Sequence, residues 1–177
     1  MIHIGIDPGA DGAIAVLDEN GKILYRAGFP KIGNKFDPHG LNKIIKKTKQ
    51  KYPDHNFTLE LIGIIFGVSK SSMVSLSKNC GQIEGILIGN ECRHAMVPPK
   101  EWQKEMWKNI KPIRKASTKR KKDGTPAIGS VNTKATSLLA AKRLWPTEDF
   151  LRTERSTKPH DGIIDALLLA EYSRRKF

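Results

Sequence analysis

The chain has 177 residues, with 31 Lys and Arg against 18 Asp and Glu, so its formal net charge is +13. This length suits one domain with a sizeable core and is short for two. No apolar run approaches the roughly 18 residues needed to span a bilayer, so no membrane association is expected. The charge favours a phosphate-rich partner, because each phosphate neutralised by Lys or Arg releases counterions. The alternative is a basic soluble protein with no specific partner.

The residues at the start of the chain and the cysteines predict a cytoplasmic location. Strand-like sequence begins at Met1 without a charged leader and an apolar segment. Cys80 and Cys92 lack metal-ligand spacing and are expected to be free thiols in a reducing compartment.

Residues 2–29 predict an antiparallel meander of three strands. Isoleucines at alternate positions of 2–7 indicate the first strand, and a second is predicted at 13–17. Asn20-Gly21 is a hairpin signal, because both residues accept positive φ. The third strand is expected from 23 to about 29.

The remainder predicts alternating helices and strands, followed by two helices at the end. Residues 108–122 hold eight Lys and Arg and no acid, which predicts a basic flexible loop at about 108–131. We predict the α/β class, with a five-stranded mixed sheet (antiparallel strands 1–3, then strands 4–5) flanked by helices, in one domain at 1–177. The predicted helices are 41–51, 71–89, about 101–107, 133–144 and about 159–175, and the further strands are 57–62 and 94–97.

Four acidic residues stand where charges are costly. Asp161 and Asp165 lie one turn apart on an apolar helix, and like charges so placed repel unless a cation or proton lies between them. Asp7 and Glu60 fall in strands predicted to be central. We expect Gly5 to leave room for a bulky group near the Asp7 carboxylate. Hard oxygen ligands favour Mg²⁺ or Mn²⁺, and two such ions about 3.5–4 Å apart can hydrolyse a phosphodiester.

Each acid also has a structural explanation. Asp7 could satisfy the turn that follows it, Glu60 could lie on an edge strand, and Asp161 could cap its helix. His160 is either a further ligand or proton carrier, or incidental.

Several segments resemble RuvC-type Holliday junction resolvases, particularly the bacteriophage branch. The opening Ile-Gly-Ile-Asp-Pro-Gly, the strand and loop around Leu-Glu-Leu-Ile-Gly, and His-Asp-Gly-Ile-Ile-Asp-Ala carry the resemblance, which covers nearly the whole chain. It implies an RNase H-like fold, a homodimer, and symmetric metal-dependent nicks in a four-way DNA junction. These segments are 4–13, 59–67 and 160–170, with further similarity at 98–104 and 132–144.

The resemblance also implies roles for individual residues. Asp7, Glu60 and Asp165 match the first, second and last acids of the family. Many family members carry the third acid three residues before the last, where this chain has Gly162. Asp161, one place earlier, is assigned that role, and His160 is the possible substitute.

Two surfaces are predicted to contact partners. The helix at 71–89 carries small residues at four-residue spacing beside an apolar seam; it packs on its own sheet or forms the two-fold interface of a homodimer. Basic and aromatic residues near the acids are predicted to contact branched DNA. The predicted DNA-binding residues are Phe66, Lys70, Lys100, Lys104, Arg114, Lys115, Lys119, Arg120 and Lys134.

The sequence therefore predicts a Mg²⁺- or Mn²⁺-dependent endodeoxyribonuclease that resolves four-way junctions by paired phosphodiester hydrolysis. One alternative is another RNase H-like nuclease, acting on other branched DNA, RNA–DNA hybrid or structured RNA. The second is a junction-binding protein without catalysis.

Overall fold

The computed structural model describes residues 1–9, 11–63, 69–117, 120, 124–125 and 127–177. None of the helices within these residues has the length and apolar character that a membrane crossing demands. The strands are β1 (Ile2–Asp7), β2 (Ala13–Leu17), β3 (Ile23–Gly28), β4 (Lys31–Ile32), β5 (Lys35–Phe36), β6 (His55–Glu60) and β7 (His94–Val97). The helices are α1 (Pro38–Lys51), α2 (Lys70–Gly89), α3 (Pro99–Met106), α4 (Thr133–Leu144) and α5 (Asp161–Lys176).

Five strands form one mixed sheet in the order β3-β2-β1-β6-β7. The first three pair antiparallel, whereas β6 pairs parallel with both β1 and β7. The predicted α/β class and five-stranded mixed sheet flanked by helices are therefore confirmed. The predicted turn between β2 and β3 is present, with Gly21 at φ +80°. Asn20 does not have positive φ, so the Asn-Gly signal is fulfilled at its second position alone.

The parallel pairing of β1 with β6 decides where the acids lie. Ile6 is opposite Leu59 in this register. Asp7 and Glu60 are the last residues of the two strands, so they lie together at the carboxyl end of the parallel pair. The carboxyl ends of parallel strands are where α/β proteins commonly bind ligands. Two acids that are distant in sequence thus become neighbours.

The sheet separates two layers of helices and two hydrophobic clusters. On one face, α1 and α2 cover Ile4, Ile6, Phe57 and Leu59. On the other face, α3, α4 and α5 pack against one another and against β2. The alternation predicted for β1 is confirmed, because its isoleucines face α1 and α2 while Asp7 lies on the α5 side.

Helix α5 crosses β1 at a glycine. A Cβ built on Gly5 would lie 2.0 Å from the carbonyl oxygen of Ala166 and 2.5 Å from the nitrogen of Ala170. The expectation that Gly5 leaves space for a bulky group near Asp7 is wrong, because the α5 backbone fills that space. From Gly162 to Ser173 every residue of α5 except Asp165 is buried.

The β4–β5 hairpin is an element that the sequence pattern does not predict. Its strands have two residues each, which is too short for an alternating pattern. The Phe36 ring packs on Phe29 at 5.1 Å between centroids. Asp37 follows directly and accepts a hydrogen bond from the His39 amide at 3.0 Å, so α1 begins at Pro38, before the predicted start.

The two ends of the predicted basic loop are paired with each other. Arg114 forms an antiparallel bridge with Val131, and the Lys115 amide donates to the Ser130 carbonyl at 2.9 Å. A Cβ on Gly129 would lie 1.8 Å from the Lys115 carbonyl oxygen, so this close backbone approach requires glycine.

Candidate active site

Asp7 and Glu60 are held by donors that lie close to them. The Gly9 amide, in the turn after β1, donates to Asp7 Oδ1 at 3.0 Å. The Trp102 indole Nε1–H donates to Glu60 Oε1 at 2.9 Å. Trp102 is 0% exposed and belongs to the α5-side cluster. Trp102 therefore packs in the core and also holds Glu60, as expected of a buried indole N–H, which usually finds an acceptor.

Helix α5 brings the other two acids to the same place. Asp161 is its first residue and Asp165 lies one turn later. A Cβ on Gly162 would lie 3.0 Å from Asp7 Oδ2 and 2.2 Å from the Asp11 carbonyl oxygen. The glycine therefore lets α5 start directly against Asp7, and no acidic side chain could be accommodated at that position.

The buried carboxylates raise one another's pKa. Burial raises the pKa of Asp7 well above its usual range, and the charges of Asp165 and Glu60 add to the effect. Burial, with the charge of Glu60, raises the pKa of Asp165 to about 7. Burial also raises the pKa of Glu60, while the Trp102 hydrogen bond acts in the opposite direction. These interactions show that the predicted acids converge from β1, β6 and α5.

A cavity of about 520 Å³ opens beside Asp7, at the carboxyl end of β1. Asp7, Asp161 and Asp165 line it, whereas Glu60 does not. Within the described residues, one oxygen of Asp165, Oδ1, is buried without a hydrogen-bond partner. An ionised carboxylate oxygen left in this way is costly unless a cation or proton reaches it.

Cations line the rim of the cavity. Lys134 Nζ is 2.5 Å from Asp161 Oδ2, and this contact raises the pKa of Lys134. Asp11 pairs with Lys31 at 2.6 Å and with Arg152 at 3.7 Å. Asp11 and Arg152 line the cavity, and Lys31 reaches it by pairing with Asp11. These residues were not predicted, because their pairing joins segments far apart in the sequence.

His160 caps α5, a role that had been considered for Asp161. Its Nδ1 accepts a hydrogen bond from the Ile163 amide at 3.2 Å. Its other ring nitrogen, Nε2, is buried and has no hydrogen-bond partner among the residues that the structure describes. Burial lowers the pKa of His160, so the neutral ring that can accept this bond is favoured.

The predicted DNA-binding residues are spread over several elements. Lys70 begins α2, and Lys100 and Lys104 are exposed on α3. Exposed Arg114 and Lys115 lie in the paired ends of the basic loop, and Arg120 donates to the Gly124 carbonyl at 2.9 Å. Lys134 is paired with Asp161 beside the cavity. Phe66 and Lys119 lie outside the described residues.

The donor chemistry fits a hard divalent cation, although the ligands are not pre-assembled. In the part of the chain that the structure describes, no three Asp, Glu, His or Cys side chains are already grouped to hold a metal ion. The acids are nevertheless coupled electrostatically, and Asp165 carries an unpartnered buried oxygen. Carboxylate oxygens of this kind are the ligands that Mg²⁺ and Mn²⁺ prefer.

Two solved structures resemble this chain over nearly its whole length. One is T. thermophilus RuvC in complex with a Holliday junction substrate, with a TM-score of 0.61, 10% identity, and coverage of 99% of this chain and 96% of that chain. The other is Thermus thermophilus RuvC, with a TM-score of 0.58, 14% identity and the same coverage. No protein-family model matches the chain, and no curated protein gives a significant match. The chain therefore shares the RNase H-like fold seen in RuvC.

Proposed function

We propose that this protein is a structure-selective endonuclease that resolves four-way DNA junctions by paired phosphodiester hydrolysis. The observation that carries the proposal is the convergence of Asp7, Glu60 and Asp165 beside a cavity on a RuvC-like fold. The net charge of +13 supports a polyanionic substrate. The assignment to the bacteriophage branch rests on the sequence motifs alone.

Asp7, Glu60, Asp161 and Asp165 would hold one or two Mg²⁺ or Mn²⁺ ions. When bound, such ions activate a water molecule and stabilise the departing oxyanion of the phosphodiester. The raised pKa values of Asp7 and Asp165 mean that the free site retains a proton more readily than isolated carboxyl groups do. Cation binding therefore displaces protons, and affinity rises with pH through that range.

The other residues of the site orient these ligands and balance their charge. Trp102 fixes one oxygen of Glu60, and the Gly9 amide fixes one oxygen of Asp7. Lys134, which now pairs with Asp161, is close enough to the cavity to exchange that carboxylate for a phosphate oxygen of the substrate. His160 holds the start of α5, which presents Asp161 and Asp165.

The helix α2 is our candidate for the dimer interface. Cys80, Ile83 and Leu87 are buried against the protein's own sheet, so one side of the helix packs as the single-chain alternative predicted. Val74 and Ile88 are 69% and 61% exposed. A second two-fold-related α2 packed there would position two active sites on opposite strands of a junction.

Dimerisation is tested by Gly85→Arg. Among the described residues of the single chain, no atom lies within 4 Å of a Cβ built on Gly85, so an arginine there fits the folded monomer but would collide with a second α2. Its matched control is Gln50→Arg, which adds the same charge at an exposed position of α1. Light scattering should show that Gly85→Arg is a folded monomer and that the control is a dimer. A dimer in both variants would place the interface elsewhere.

The remaining basic residues are proposed to hold the arms of the junction. Lys70, Lys100 and Lys104 are exposed and able to contact phosphates. We propose that the basic segment 108–131, which includes Arg114, Lys115, Lys119 and Arg120, closes over bound DNA. Phe66, close to Glu60 in sequence, is proposed to unstack a base at the crossover.

The decisive experiment maps nicks in a labelled four-way junction incubated with protein and Mg²⁺ or Mn²⁺. Symmetric nicks on two opposing strands are expected, and Asp7→Asn should abolish them while retaining DNA binding. Cuts in RNA–DNA hybrid, in linear duplex or in structured RNA at equal ionic strength would favour the broader nuclease alternative. Junction binding without nicking in either metal would favour the non-catalytic one.

A further inference from the structure

We propose that a groove between α2 and the β4–β5 hairpin binds the sugar–phosphate backbone of a DNA arm leading away from the acidic cavity. The proposal rests on the proposed function for the identity of the polyanion. The observations that define the groove are independent of the catalytic chemistry.

Two adjoining cavities make up the groove. One, of about 460 Å³, begins at Gly9, whose amide binds Asp7, and runs along the first turns of α2. The other, of about 440 Å³, continues to Lys35 and Phe36 of the hairpin. Ser75 and Asn79 line both. The groove therefore runs along α2 from Gly9, beside the acids, to the β4–β5 hairpin.

The hairpin end of the groove carries charge opposite to that of the acidic cavity, and the end near Gly9 is lined by neutral residues. Lys35 and Lys78 line the hairpin end, together with the amide side chains of Asn34, Asn79 and Gln82. Among the described residues, no acid lines either cavity, and neither lysine has a carboxylate partner. Phosphate oxygens accept hydrogen bonds and carry charge, so lysine and amide donors complement them.

The hairpin wall is held in place before any ligand arrives. The Phe36 ring packs on buried Phe29, and the Asp37 amide closes the hairpin by donating to the Pro30 carbonyl at 2.9 Å. Lys31 ties the hairpin to Asp11 at the rim of the acidic cavity. A wall fixed in this way loses little conformational entropy when it binds.

The succession of two cavities favours a chain of phosphates over a single anion. Each has the volume of a small-ligand pocket, and the pair extends along one helix. A nucleic-acid strand repeats its charge at the spacing of its nucleotides, so it can occupy both cavities while the phosphodiester to be cut lies at the acids. This arrangement would hold an arm in line with the site of cleavage.

The test measures how DNA binding depends on salt. In an Asp7→Asn background, which prevents cleavage, the Lys35→Ala/Lys78→Ala double variant is compared with Lys22→Ala/Lys142→Ala. The control removes the same charge at the β2–β3 turn and at the last turn of α4. All four lysines are exposed, and melting curves verify that both proteins fold. Lys78 lies one turn from Val74 of the proposed dimer face, so light scattering verifies that the groove variant keeps the oligomeric state of the parent.

Each phosphate contact contributes about 0.9 to the slope of log affinity against log salt for duplex DNA. For a labelled four-way junction, we expect the groove variant to lose about 1.8 from this slope and the control to keep the parent's slope. Equal slopes in the groove variant and the control would overturn the proposal.

Cleavage with intact Asp7 separates this proposal from the proposed function. In the groove variant, KM for the junction should rise about tenfold with kcat unchanged, because the four acids of the proposed active site remain. Absence of nicking in every protein, together with the expected slope difference, would refute the nuclease but retain the groove. Normal nicking without a slope difference would refute the groove alone.

Discussion

Removing the indole N–H of Trp102 tests the geometry of the site most directly. Trp102→Phe keeps an aromatic ring in the α5-side cluster but removes the donor that lies 2.9 Å from Glu60 Oε1. A hydrogen bond to a charged group contributes about 1.5–3 kcal/mol. With the loss of packing volume, we expect the free energy of unfolding to fall by about 3 kcal/mol, or about 6–12 °C in Tm for a domain of this size.

The neighbouring Trp107 provides a matched control. Its Nε1 is buried and has no hydrogen-bond partner in the part of the chain that the structure describes. Trp107→Phe makes the same chemical change without breaking a hydrogen bond, so it should destabilise the protein by less than about 1 kcal/mol. Denaturant unfolding in a chelating buffer measures both variants without interference from metal ions.

The pH dependence gives the prediction its sign. Burial raises the pKa of Glu60, and the indole, which stabilises the ionised form, opposes that rise. Trp102→Phe therefore raises the pKa of Glu60 further. The loss in free energy of unfolding caused by Trp102→Phe is largest where Glu60 is ionised, at about pH 8. This loss shrinks as the pH falls through the pKa of Glu60 towards about pH 4. Equal destabilisation by the two tryptophan variants, or a difference independent of pH, would refute the reasoning.

Three further predictions follow from contacts of the site. Gly5→Ala should destabilise the fold by more than about 4 kcal/mol in denaturant unfolding, because its Cβ would meet the Ala166 carbonyl oxygen at 2.0 Å. His160→Ala should cost about 0.5–2 kcal/mol in unfolding above about pH 6.5, with the cost shrinking at lower pH as the ring protonates and loses its acceptor, and His160→Asn should restore the cap. Asp7→Asn should raise Tm in metal-free buffer at about pH 8, because it removes a buried carboxylate whose pKa is raised by its neighbours. It should also remove the stabilisation by Mg²⁺ that thermal scans are expected to detect in the parent. A lower Tm in metal-free buffer would show that the repulsion among the acids is unimportant.

Local sequence patterns predicted most of the secondary structure. Alternating isoleucines placed β1, the Asn-Gly pair placed the turn before β3, and His94–Val97 was predicted with the bounds that the structure has. These features depend on residues close together in the chain, so their signals are readable without tertiary information. The hairpin β4–β5 was missed because two-residue strands carry no period.

The acids were identifiable because ionisable groups in apolar segments are costly. Asp165 in a helix of buried residues and Glu60 in a central strand were conspicuous for that reason. Their roles in catalysis remain predictions. The partners of the acids were not identifiable, since Trp102 reaches Glu60 from α3 and Lys134 reaches Asp161 from α4.

Local patterns along the chain were enough to predict the class of fold, the order of its main elements and the residues with the chemistry to bind a cation. The tertiary structure decided which groups meet: α5 crosses β1 at Gly5, Gly162 lies against Asp7, and His160 rather than Asp161 caps the helix. The reason is that propensity and periodicity are local properties of a chain. Close backbone approaches and long-range ion pairs depend on how whole elements pack, and no short segment encodes that packing.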